Sequence, residues 1–502
     1  MNSASEGPAI ENLSVDAIRL ASVNELAQFS LQLSGPEPLV CEQVLRHLPG
    51  KRVVFKARWN GATVLVKLFF NKKDYAREKH GLELLEQHSI PSPARRWCFV
   101  DSDGSTGKVF LIATDFFVDA ESLESRCRIS VDEGGVRETL AVLGRMHRAG
   151  LVQQDIHLDN FLFSDGQLHV IDGGSVTAYA SLKQDMVTKN LGLFFAQFTP
   201  LFDKDIPQIL SAYGESAVST ELPSELRSEL ALQQLPLKSL LKKVRNKRLW
   251  RIRKYQQKSL RSCTEFVADK TWQRFLVLRR DRDDAVLRKL LDQPDASFGG
   301  GRLLKNGNTA TVFEVAGSGG ATWVLKRYNI KSWSHGLSRC WRPSRAWFSW
   351  QSAHALAVIG VPTPKPVALR ENRSGRLRQE AYLITEKAEG DLLDQWLLKR
   401  PGHDIPQWLD AAILTIFHRL LASRISHGDM KSTNFIVTKN DLTVIDLDAM
   451  CVHRSERTFY RAFRKDMKRF MANWHGDTHR HFTRLLNPIF EQIGLDTPAL
   501  RV

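Results

Sequence analysis

The sequence predicts an α+β fold in which one domain occurs twice in tandem along 502 residues. Two observations lead to this prediction. A chain of this length exceeds one ordinary hydrophobic core, so two domains of roughly 200 residues are expected. An ordered series of short motifs also occurs twice, with the copies 259 to 274 residues apart. A repeat with so long a period indicates duplicated domains rather than a solenoid.

The first repeated motif is an apolar, β-branched segment that ends in lysine. It reads Ala-Thr-Val-Leu-Val-Lys at residues 62–67 and Ala-Thr-Trp-Val-Leu-Lys at residues 321–326. Segments of this composition favour β-strands. A Pro-x-Pro motif follows in each copy, at residues 91–93 and 362–364, and precedes another apolar strand. Both copies therefore place a strand-terminal lysine early in a strand-rich region.

The second part of each repeat is a polar loop followed by two short apolar strands. It carries an aspartate, an asparagine five residues later and a second aspartate twelve residues after the asparagine. These residues are Asp155, Asn160 and Asp172 in the first copy and Asp429, Asn434 and Asp446 in the second. The spacing suits a short hairpin that presents the asparagine and the second aspartate at one end. Farther on, Asp185-Met186 and Asp466-Met467 extend the correspondence.

Two histidines, His157 and His427, lie beside the first aspartates of these loops. Histidine at such a position can act as a base or bind a metal ion. We predict instead that both histidines orient the loop, with His427 packing beneath it as part of a His-Gly-Asp sequence.

The repeats set the predicted domain boundaries. Residues 1–34 are predicted to be an N-terminal extension, and residues 35–215 and 296–500 to be the two domains. Each domain is expected to have a small strand-rich N-terminal lobe and a mostly helical C-terminal lobe. Residues 216–295 between them are predicted to form a linker of basic, polar helices.

The repeated residues meet the requirements of phosphoryl transfer. That reaction needs ATP held in place, a divalent metal between phosphate oxygens and an acceptor hydroxyl oriented for in-line attack. A strand-terminal lysine can reach the phosphates, a helix glutamate can aim the lysine, and asparagine and aspartate oxygens suit Mg²⁺. The predicted residues are catalytic Asp155 and Asp429, ATP-binding Lys67, Glu78 and Lys326, and the metal ligands Asn160, Asp172, Asn434 and Asp446. The ordered set predicts two protein-kinase-like domains with ATP and Mg²⁺ as cofactors.

The two copies differ at the helix glutamate. No Asp or Glu occurs in residues 327–360, so the second copy has no counterpart of Glu78. We therefore expect Lys326 to be held by another group, either Gln351 or a residue of the linker. The difference also leaves open whether both copies are active.

The residues of the second loop resemble those of a known family. The sequence His-Gly-Asp-Met-Lys-Ser-Thr-Asn at residues 427–434, followed by Val-Ile-Asp-Leu-Asp at residues 444–448, resembles the lipopolysaccharide kinases that modify heptose or Kdo. The first copy resembles a more divergent relative, because Gln153-Gln154-Asp155 and Asp172-Gly173-Gly174 replace the usual triplets. The resemblance covers most of the chain except roughly residues 216–295.

This resemblance implies a function, a substrate and a location. The function is ATP- and Mg²⁺-dependent transfer of the γ-phosphate to a hydroxyl of an inner-core sugar. The substrate is the lipopolysaccharide core oligosaccharide carried on lipid A. The location is the cytoplasmic face of the inner membrane of a Gram-negative bacterium, where the protein is expected to be peripheral.

The charge of the chain favours an anionic partner. The net charge is +16, and residues 238–261 hold the densest basic cluster without one acidic residue. Charge alone does not distinguish nucleic acid, phospholipid headgroups and a phosphorylated sugar, and the cluster also suits a plain solvated helix face. With the family resemblance, we expect an anionic membrane surface as a partner and no nucleic acid.

Cysteine usage and hydropathy agree with a cytoplasmic protein. The six cysteines are widely separated and form no CxxC pair, which disfavours a disulfide framework and a zinc site. The N-terminus has no basic-then-apolar secretion signal, and no run of about 18 apolar residues occurs. Export and membrane spanning are therefore not expected.

Three other functions fit part of the pattern. A small-molecule phosphotransferase of the aminoglycoside or choline kinase type uses a similar aspartate, but the basic charge of this chain suits a cationic substrate poorly. A protein kinase normally shows Ala-Pro-Glu after its metal-binding aspartate, and neither copy does. A pseudokinase scaffold in lipopolysaccharide assembly fits the missing glutamate. The sequence does not determine the sugar, its hydroxyl or the oligomeric state.

Overall fold

The chain forms two compact units that both contain helices and antiparallel sheets. Unit 1 is Met1–Phe198 with Lys204–Val244, and unit 2 is Thr199–Asp203 with Arg245–Val502. This computed structural model describes residues 11–21, 26–32, 38–103, 107–128, 130–217, 236–307, 309–329, 343–375, 377–400, 405–439 and 441–496. The mixture of helix and sheet agrees with the predicted α+β class.

Unit 1 begins with a seven-stranded sheet in the order β1-β2-β3-β4-β5-β7-β6. The strands are β1 Glu11–Asn12, β2 Phe29–Leu31, β3 Leu39–Leu48, β4 Arg52–Trp59, β5 Ala62–Phe69, β6 Arg95–Asp103 and β7 Gly107–Asp115. Neighbours are antiparallel except for the parallel pair β1 and β2. Buried residues alternate along β4, which is typical of a strand with one face on a core.

Residues 11–21 and 26–32 belong to this sheet and its core, whereas the sequence predicts a separate extension over residues 1–34. Strand β2 pairs with β3, and helix α1, Val15–Leu20, lies between β1 and β2 in the chain. Ile18, Phe29 and Leu31 are buried in the same core as the central strands. Burying these apolar side chains accounts for the attachment.

The rest of unit 1 is mostly helical, with five short strands in a three-stranded and a two-stranded sheet. The helices are α2 Lys72–Gln87, α3 Leu123–Arg126, α4 Glu133–Arg148, α5 Gln184–Phe195 and α6 Ile206–Ala217. The strands are β8 Glu121–Ser122, β9 Leu151–Gln153, β10 Phe161–Ser164, β11 Gln167–Val170 and β12 Val176–Ala178. Strands β10 and β11 form a hairpin whose Asp165-Gly166 turn has positive φ at both residues. This turn chemistry matches the right-handed twist of a hairpin.

Unit 2 contains a second seven-stranded antiparallel sheet, in the order β13-β14-β18-β19-β17-β16-β15. Its strands are β13 Phe266–Lys270, β14 Arg274–Arg279, β15 Arg302–Asn306, β16 Ala310–Ala316, β17 Thr322–Tyr328, β18 Pro366–Ser374 and β19 Leu377–Glu386. The smaller strands are β20 Asp391–Leu392, β21 Ile425–Ser426, β22 Phe435–Val437, β23 Leu442–Val444 and β24 Cys451–Val452.

The helices of unit 2 surround an aromatic core. Helix α7, Leu237–Lys258, contains the boundary between the units. The helices that follow are α8 Ala285–Asp292, α9 Arg345–Ile359, α10 Leu393–Leu398, α11 Gln407–Ala422, α12 Glu456–Met471 and α13 Gly476–Ile493. Phe417, Phe435 and Phe470 pack edge to face within this core. Such aromatic pairs add to the stabilisation that comes from burial alone. Among the residues described, no helix combines the length and apolar character needed to cross a membrane.

The segment 216–295 differs from the predicted helical linker. Helix α7 lies within it, but so does the β13–β14 hairpin, and β14 pairs with β18 of the main sheet. Phe266, Leu276 and Leu278 of this hairpin are buried. Because β14 contains a run of apolar residues, it forms a buried strand although the residues around it are basic. Its pairing with β18 adds the hairpin to the sheet of unit 2. Residues 218–235 lie outside the described part of the chain.

Candidate active site

In unit 1 the structure joins the predicted lysine and helix glutamate. Lys67 Nζ, on β5, lies 2.5 Å from Glu78 Oε1, on α2. The Glu78 side chain is only 2% exposed, and its Oε2 accepts a hydrogen bond from the Gly174 backbone N–H at 3.1 Å. Asn71 caps the start of α2 by accepting from Asp74 N at 2.8 Å. Helix α2 is thus fixed at its start, and its glutamate is aimed at the lysine.

The two predicted metal ligands of unit 1 lie at the same end of the β10–β11 hairpin. Ile171 N donates to Asn160 O at 2.9 Å, so Asn160 lies next to the residue before Asp172. Asp172 has a left-handed backbone, with φ of 66°, and Ser175 Oγ donates to its carboxylate at 3.2 Å. The twelve-residue spacing seen in the sequence is therefore the length of this hairpin.

Lys67, Asn160 and Asp172 line one cavity of about 290 Å³. Arg46 and Arg52 add positive charge to its wall, and Asp115 adds one negative charge, which pairs with Arg96. Its apolar lining is formed by Leu45, Val54, Leu65, Phe116, Phe117, Leu162 and Ile171. The volume is close to the lower end of small-molecule sites, which is about 300 Å³. Cations and apolar side chains in one cavity suit a ligand with a phosphate end and a flat, apolar end.

Glycines explain how α2 comes so close to the Asp172 loop. A Cβ on Gly81 would lie 1.7 Å from Gly173 O, and a Cβ on Gly174 would lie 2.7 Å from Glu78 Oε2. Real Cβ atoms do not approach backbone this closely, so Gly81 must be glycine, and a side chain at Gly174 would displace the Glu78 carboxylate. The Gly173-Gly174 sequence thus allows the loop to approach Glu78 closely.

The two aspartates predicted to be catalytic have the same backbone environment in their units. Asn160 Nδ2 donates to Asp155 O at 3.0 Å, and Asn434 Nδ2 donates to Asp429 O at 2.7 Å. The Asp155 side chain is exposed, whereas the Asp429 carboxylate forms ion pairs with Lys431 at 2.9 Å and Arg469 at 2.6 Å. Each asparagine thus fixes the backbone of its own aspartate.

The histidine of the second loop orients the loop, as predicted. His427 is buried, and its Nε2 lies 3.0 Å from Ile445 O, directly before Asp446. In unit 1 the buried Gln153 makes the equivalent contact, because its Nε2 donates to Ile171 O at 3.4 Å. Glutamine therefore preserves the link that histidine makes in unit 2. His157 is half exposed and accepts from Asp159 N at 3.4 Å, which also fits an orienting role.

Asp466 is a loop-holding residue that sequence reasoning did not identify as part of the site. Its carboxylate accepts from His427 N at 2.7 Å and from Gly428 N at 2.9 Å. Burial raises the pKa of Asp466 to about 6, although these two backbone donors favour the carboxylate. The carboxylate thus holds the backbone on which Asp429 stands.

The match of Asp185 with Asp466 is wrong. Asp185 is 80% exposed and pairs with Lys243, far from such a role. Asn190 occupies the equivalent place in unit 1, since its Nδ2 donates to Gln153 O at 2.8 Å. A signal for this register exists in the sequence. A phenylalanine lies four residues after both Asn190 and Asp466. These phenylalanines, Phe194 and Phe470, pack on the first strand of their hairpins.

Asn190 belongs to a buried polar chain that contains His147 and Tyr213. His147 Nε2 lies 3.0 Å from Asn190 Oδ1, and His147 Nδ1 lies 3.0 Å from the Tyr213 hydroxyl. Burial lowers the pKa of His147 to about 4. Because the unfolded chain binds a proton near pH 6.5 and the folded chain does not, stability falls as the pH drops from about 6.5 to about 4, by about 1.4 kcal/mol per pH unit.

We therefore expect His147→Gln to show a shallower loss of stability than the parent over this range. Urea unfolding of the full chain at several pH values between 7.5 and 4.5 measures both slopes. His354, whose pKa burial lowers to about 3, remains in both proteins and serves as the internal reference. Identical slopes for the two proteins would contradict the assignment.

In unit 2 the partners of Lys326 differ from those predicted. Lys326 Nζ lies 2.5 Å from Asp446 Oδ1 and 3.8 Å from Asp448 Oδ2. The expectation that Gln351 or a linker residue holds the lysine is therefore wrong. Burial opposes the charge of Lys326, but Tyr328, Asp446 and Asp448 outweigh burial and raise the pKa of its ammonium.

The predicted metal ligands of unit 2 also adjoin one another along the backbone. Ile445 N donates to Asn434 O at 2.9 Å, and Asp446 has a left-handed backbone with φ of 61°, as Asp172 does. Within the described residues, no group of three or more His, Cys, Asp or Glu side chains forms a metal site. One asparagine and one aspartate per unit supply oxygen ligands suited to Mg²⁺, which commonly takes few protein ligands and completes its shell with phosphate and water.

The family comparison concerns the second unit. Residues 304–487 match the family model described as Lipopolysaccharide kinase (Kdo/WaaP) family. The predicted resemblance is confirmed over this segment. A match to this kinase family indicates a phosphotransferase that uses ATP, and Lys326, Asp429, Asn434 and Asp446 all lie within the matched residues. The match does not include unit 1, so the tandem duplication stays a prediction.

Other comparisons add little to the match with the lipopolysaccharide kinase family. No curated protein matches the chain. A structure titled WaaP in complex with acyl carrier protein is 18% identical, with 42% of this chain and 86% of that chain covered and a TM-score of 0.28. A Stt7 homolog from Micromonas algae soaked with ATP is 16% identical, with 30% and 49% covered and a TM-score of 0.24. Scores this low do not establish a shared fold.

Proposed function

We propose that this protein is an ATP- and Mg²⁺-dependent kinase that phosphorylates a hydroxyl of heptose or Kdo in the inner core of lipopolysaccharide. The main support is the match of residues 304–487 to the lipopolysaccharide kinase family. The geometry of Lys326, Asp429 and Asp446 supports the same reaction. We further propose that both units are kinase-like domains, since unit 1 repeats the lysine strand, the loop and the hairpin in the same order.

Each side chain has a proposed task in the transfer. Lys67 or Lys326 binds phosphate oxygens of ATP as a point charge. Asp155 or Asp429 orients the acceptor hydroxyl and takes its proton as the hydroxyl attacks the γ-phosphate. Mg²⁺, when bound by the asparagine and the second aspartate, neutralises charge on the phosphate oxygens.

The two cations beside Asp429 distinguish unit 2. Lys431 and Arg469 both lie within 3 Å of its carboxylate, whereas the Asp155 side chain has His157 two residues later and no such pair among the described contacts. Positive charge at this point can stabilise negative charge that develops on the transferred phosphoryl group. We therefore propose unit 2 as the principal site of turnover.

The proposed substrate requires contact with a membrane, and α7 offers a suitable face. Trp250 is 49% exposed, and the ammonium groups of Lys247 and Lys254 lie 5.2 and 5.3 Å from its ring. These three residues share one helix face because they are three and four positions apart. An exposed tryptophan between lysines is typical of a segment that rests on an anionic lipid surface. We propose this face as the membrane contact at the cytoplasmic side of the inner membrane.

Replacing the two lysines should weaken binding to anionic vesicles. Each basic residue near such a surface contributes about 1 kcal/mol, so Lys247→Gln with Lys254→Gln is expected to lower affinity by about 30-fold. Sedimentation with phosphatidylglycerol vesicles at low and high salt measures this effect. Lys270→Gln with Lys289→Gln removes equal charge from exposed positions elsewhere and serves as the control. Equal losses in both double variants would refute a specific contact on α7.

Transfer of labelled phosphate tests the proposed function directly. Purified protein is incubated with ATP labelled at the γ-phosphate, Mg²⁺ and lipopolysaccharide that lacks inner-core phosphate, and the core oligosaccharide is analysed by mass spectrometry. One added phosphate on heptose or Kdo is the expected product. Transfer to an aminoglycoside or choline but not to the core supports a small-molecule phosphotransferase. ATP binding without transfer to any acceptor supports a scaffold.

A further inference from the structure

In unit 1 the helix glutamate packs closely against the loop residue opposite it, Gly174. Glu78 pairs with Lys67 and accepts from Gly174 N. A side chain at Gly174 would begin 2.7 Å from Glu78 Oε2, and that atom belongs to a carboxylate held on both sides. A side chain at this position would therefore displace the Glu78 carboxylate from its contacts with Lys67 and Gly174 N.

In unit 2 the carboxylate lies on the loop and not on the helix. The second residue after the metal-binding aspartate is Gly174 in unit 1 and Asp448 in unit 2. Glu78 lies thirteen residues before Pro91, and Ser349 lies thirteen residues before Pro362. The loop has therefore gained a carboxylate where the helix has lost one.

The side chains of unit 2 fit this exchange. Asp448 is only 7% exposed, lies 3.8 Å from Lys326 Nζ and forms an ion pair with Arg345 on α9. Ser349 is too short to reach the lysine, and its Oγ lies 2.9 Å from the Tyr328 hydroxyl. The contact between helix and loop is preserved, but the carboxylate now comes from the loop and the positive partner from the helix.

Arg345 is itself held in place at the start of α9. Ser344 caps this helix by accepting from Trp347 N at 3.1 Å, and Ser344 N donates to Glu371 Oε1 at 3.2 Å. Glu371 is fully buried and is paired with Arg373 at 2.5 Å. Arg345 and Lys326 thus both contact the Asp448 carboxylate.

We propose that Asp448 is the positioning residue of Lys326 and takes the place of the helix glutamate, with Arg345 holding its carboxylate. The inference rests on the proposed function, in which Lys326 binds the phosphates of ATP. Asp446 contacts Lys326 in the present structure but is also the proposed metal ligand. Asp448 is the carboxylate that stays with the lysine when Asp446 binds metal.

Moving the carboxylate between loop and helix tests this inference. The full chain carries Lys67→Met so that only unit 2 binds nucleotide, and the affinity for a non-transferable ATP analogue with Mg²⁺ is measured by calorimetry. Asp448→Asn is expected to weaken binding by about tenfold, which corresponds to about 1.4 kcal/mol. Asp448→Gly with Ser349→Glu, which copies unit 1, is expected to recover most of that affinity. Asp477→Asn, an exposed change, is the matched control.

The outcomes separate a positioning role from a structural one. Circular dichroism and the unfolding midpoint of Asp448→Asn, which keeps the side-chain volume, show whether the fold is intact. Unchanged affinity in Asp448→Asn overturns the inference, and so does a loss that the relocated glutamate does not restore. Absence of nucleotide binding in the Lys67→Met chain overturns the proposed function and this inference with it.

Discussion

Replacing both loop aspartates, Asp155→Ala together with Asp429→Ala, is expected to lower the rate of phosphate transfer by about 10²- to 10⁴-fold. This is the usual cost of removing a general base. The loops should survive the change, because Asn160 and Asn434 bind the backbone carbonyls of these residues and not their carboxylates. The rate of phosphate transfer to the core oligosaccharide at saturating ATP is the measurement.

The single variants, Asp155→Ala and Asp429→Ala, show how much of the lost transfer rate belongs to each unit. Because Lys431 and Arg469 surround Asp429, we expect Asp429→Ala to account for most of it. Asp185→Ala is the control, since this aspartate is exposed and lies outside both loops. A double variant that transfers phosphate at the parental rate would remove both aspartates from the mechanism. A large loss in Asp185→Ala would restore the rejected match with Asp466.

Sequence reasoning predicted the parts of the site whose residues lie close together in the chain. Asn160 and Asp172 are joined by a hairpin with an Asp-Gly turn, so their spacing fixes their proximity. Lys67 lies near the end of strand β5, and Glu78 lies on the next helix of the chain, where a short connection brings the two together. Short-range turn chemistry and hydrophobic periodicity carry this information in the sequence itself.

The parts of the site and fold that sequence reasoning missed depend on contacts between segments that are distant in the chain. Asp466 reaches the His427 loop across 39 residues, and Asp448 reaches Lys326 across 122, so neither partner follows from local pattern. The β13–β14 hairpin was hidden by neighbouring basic residues, although its apolar run pairs with β18. Tertiary packing decided these cases, as it commonly does where local propensity is weak.

Gly81→Ala is expected to destabilise unit 1 by about 3 kcal/mol, because the new methyl group has no room. Its Cβ would lie 1.7 Å from Gly173 O and 2.4 Å from Gly173 C, and both are backbone atoms that no rotamer change can move. Helix α2 must therefore shift away from the Asp172 loop. That shift breaks the hydrogen bond from Gly174 N to Glu78 and moves the glutamate away from Lys67.

Two measurements check this expectation in the full chain. Urea unfolding should show a lower midpoint for the unit 1 transition, and nucleotide affinity should fall at the unit 1 site while the unit 2 site keeps its affinity. Gly134→Ala in α4 is the matched control, since its Cβ would meet only Asp132 Oδ1, at an ordinary 3.4 Å. Alanine there should be neutral or slightly stabilising, by up to about 1 kcal/mol, because it favours helix over glycine. If Gly81→Ala unfolds at the parental midpoint and binds nucleotide normally in unit 1, the close approach of α2 to the Asp172 loop does not govern the position of Glu78.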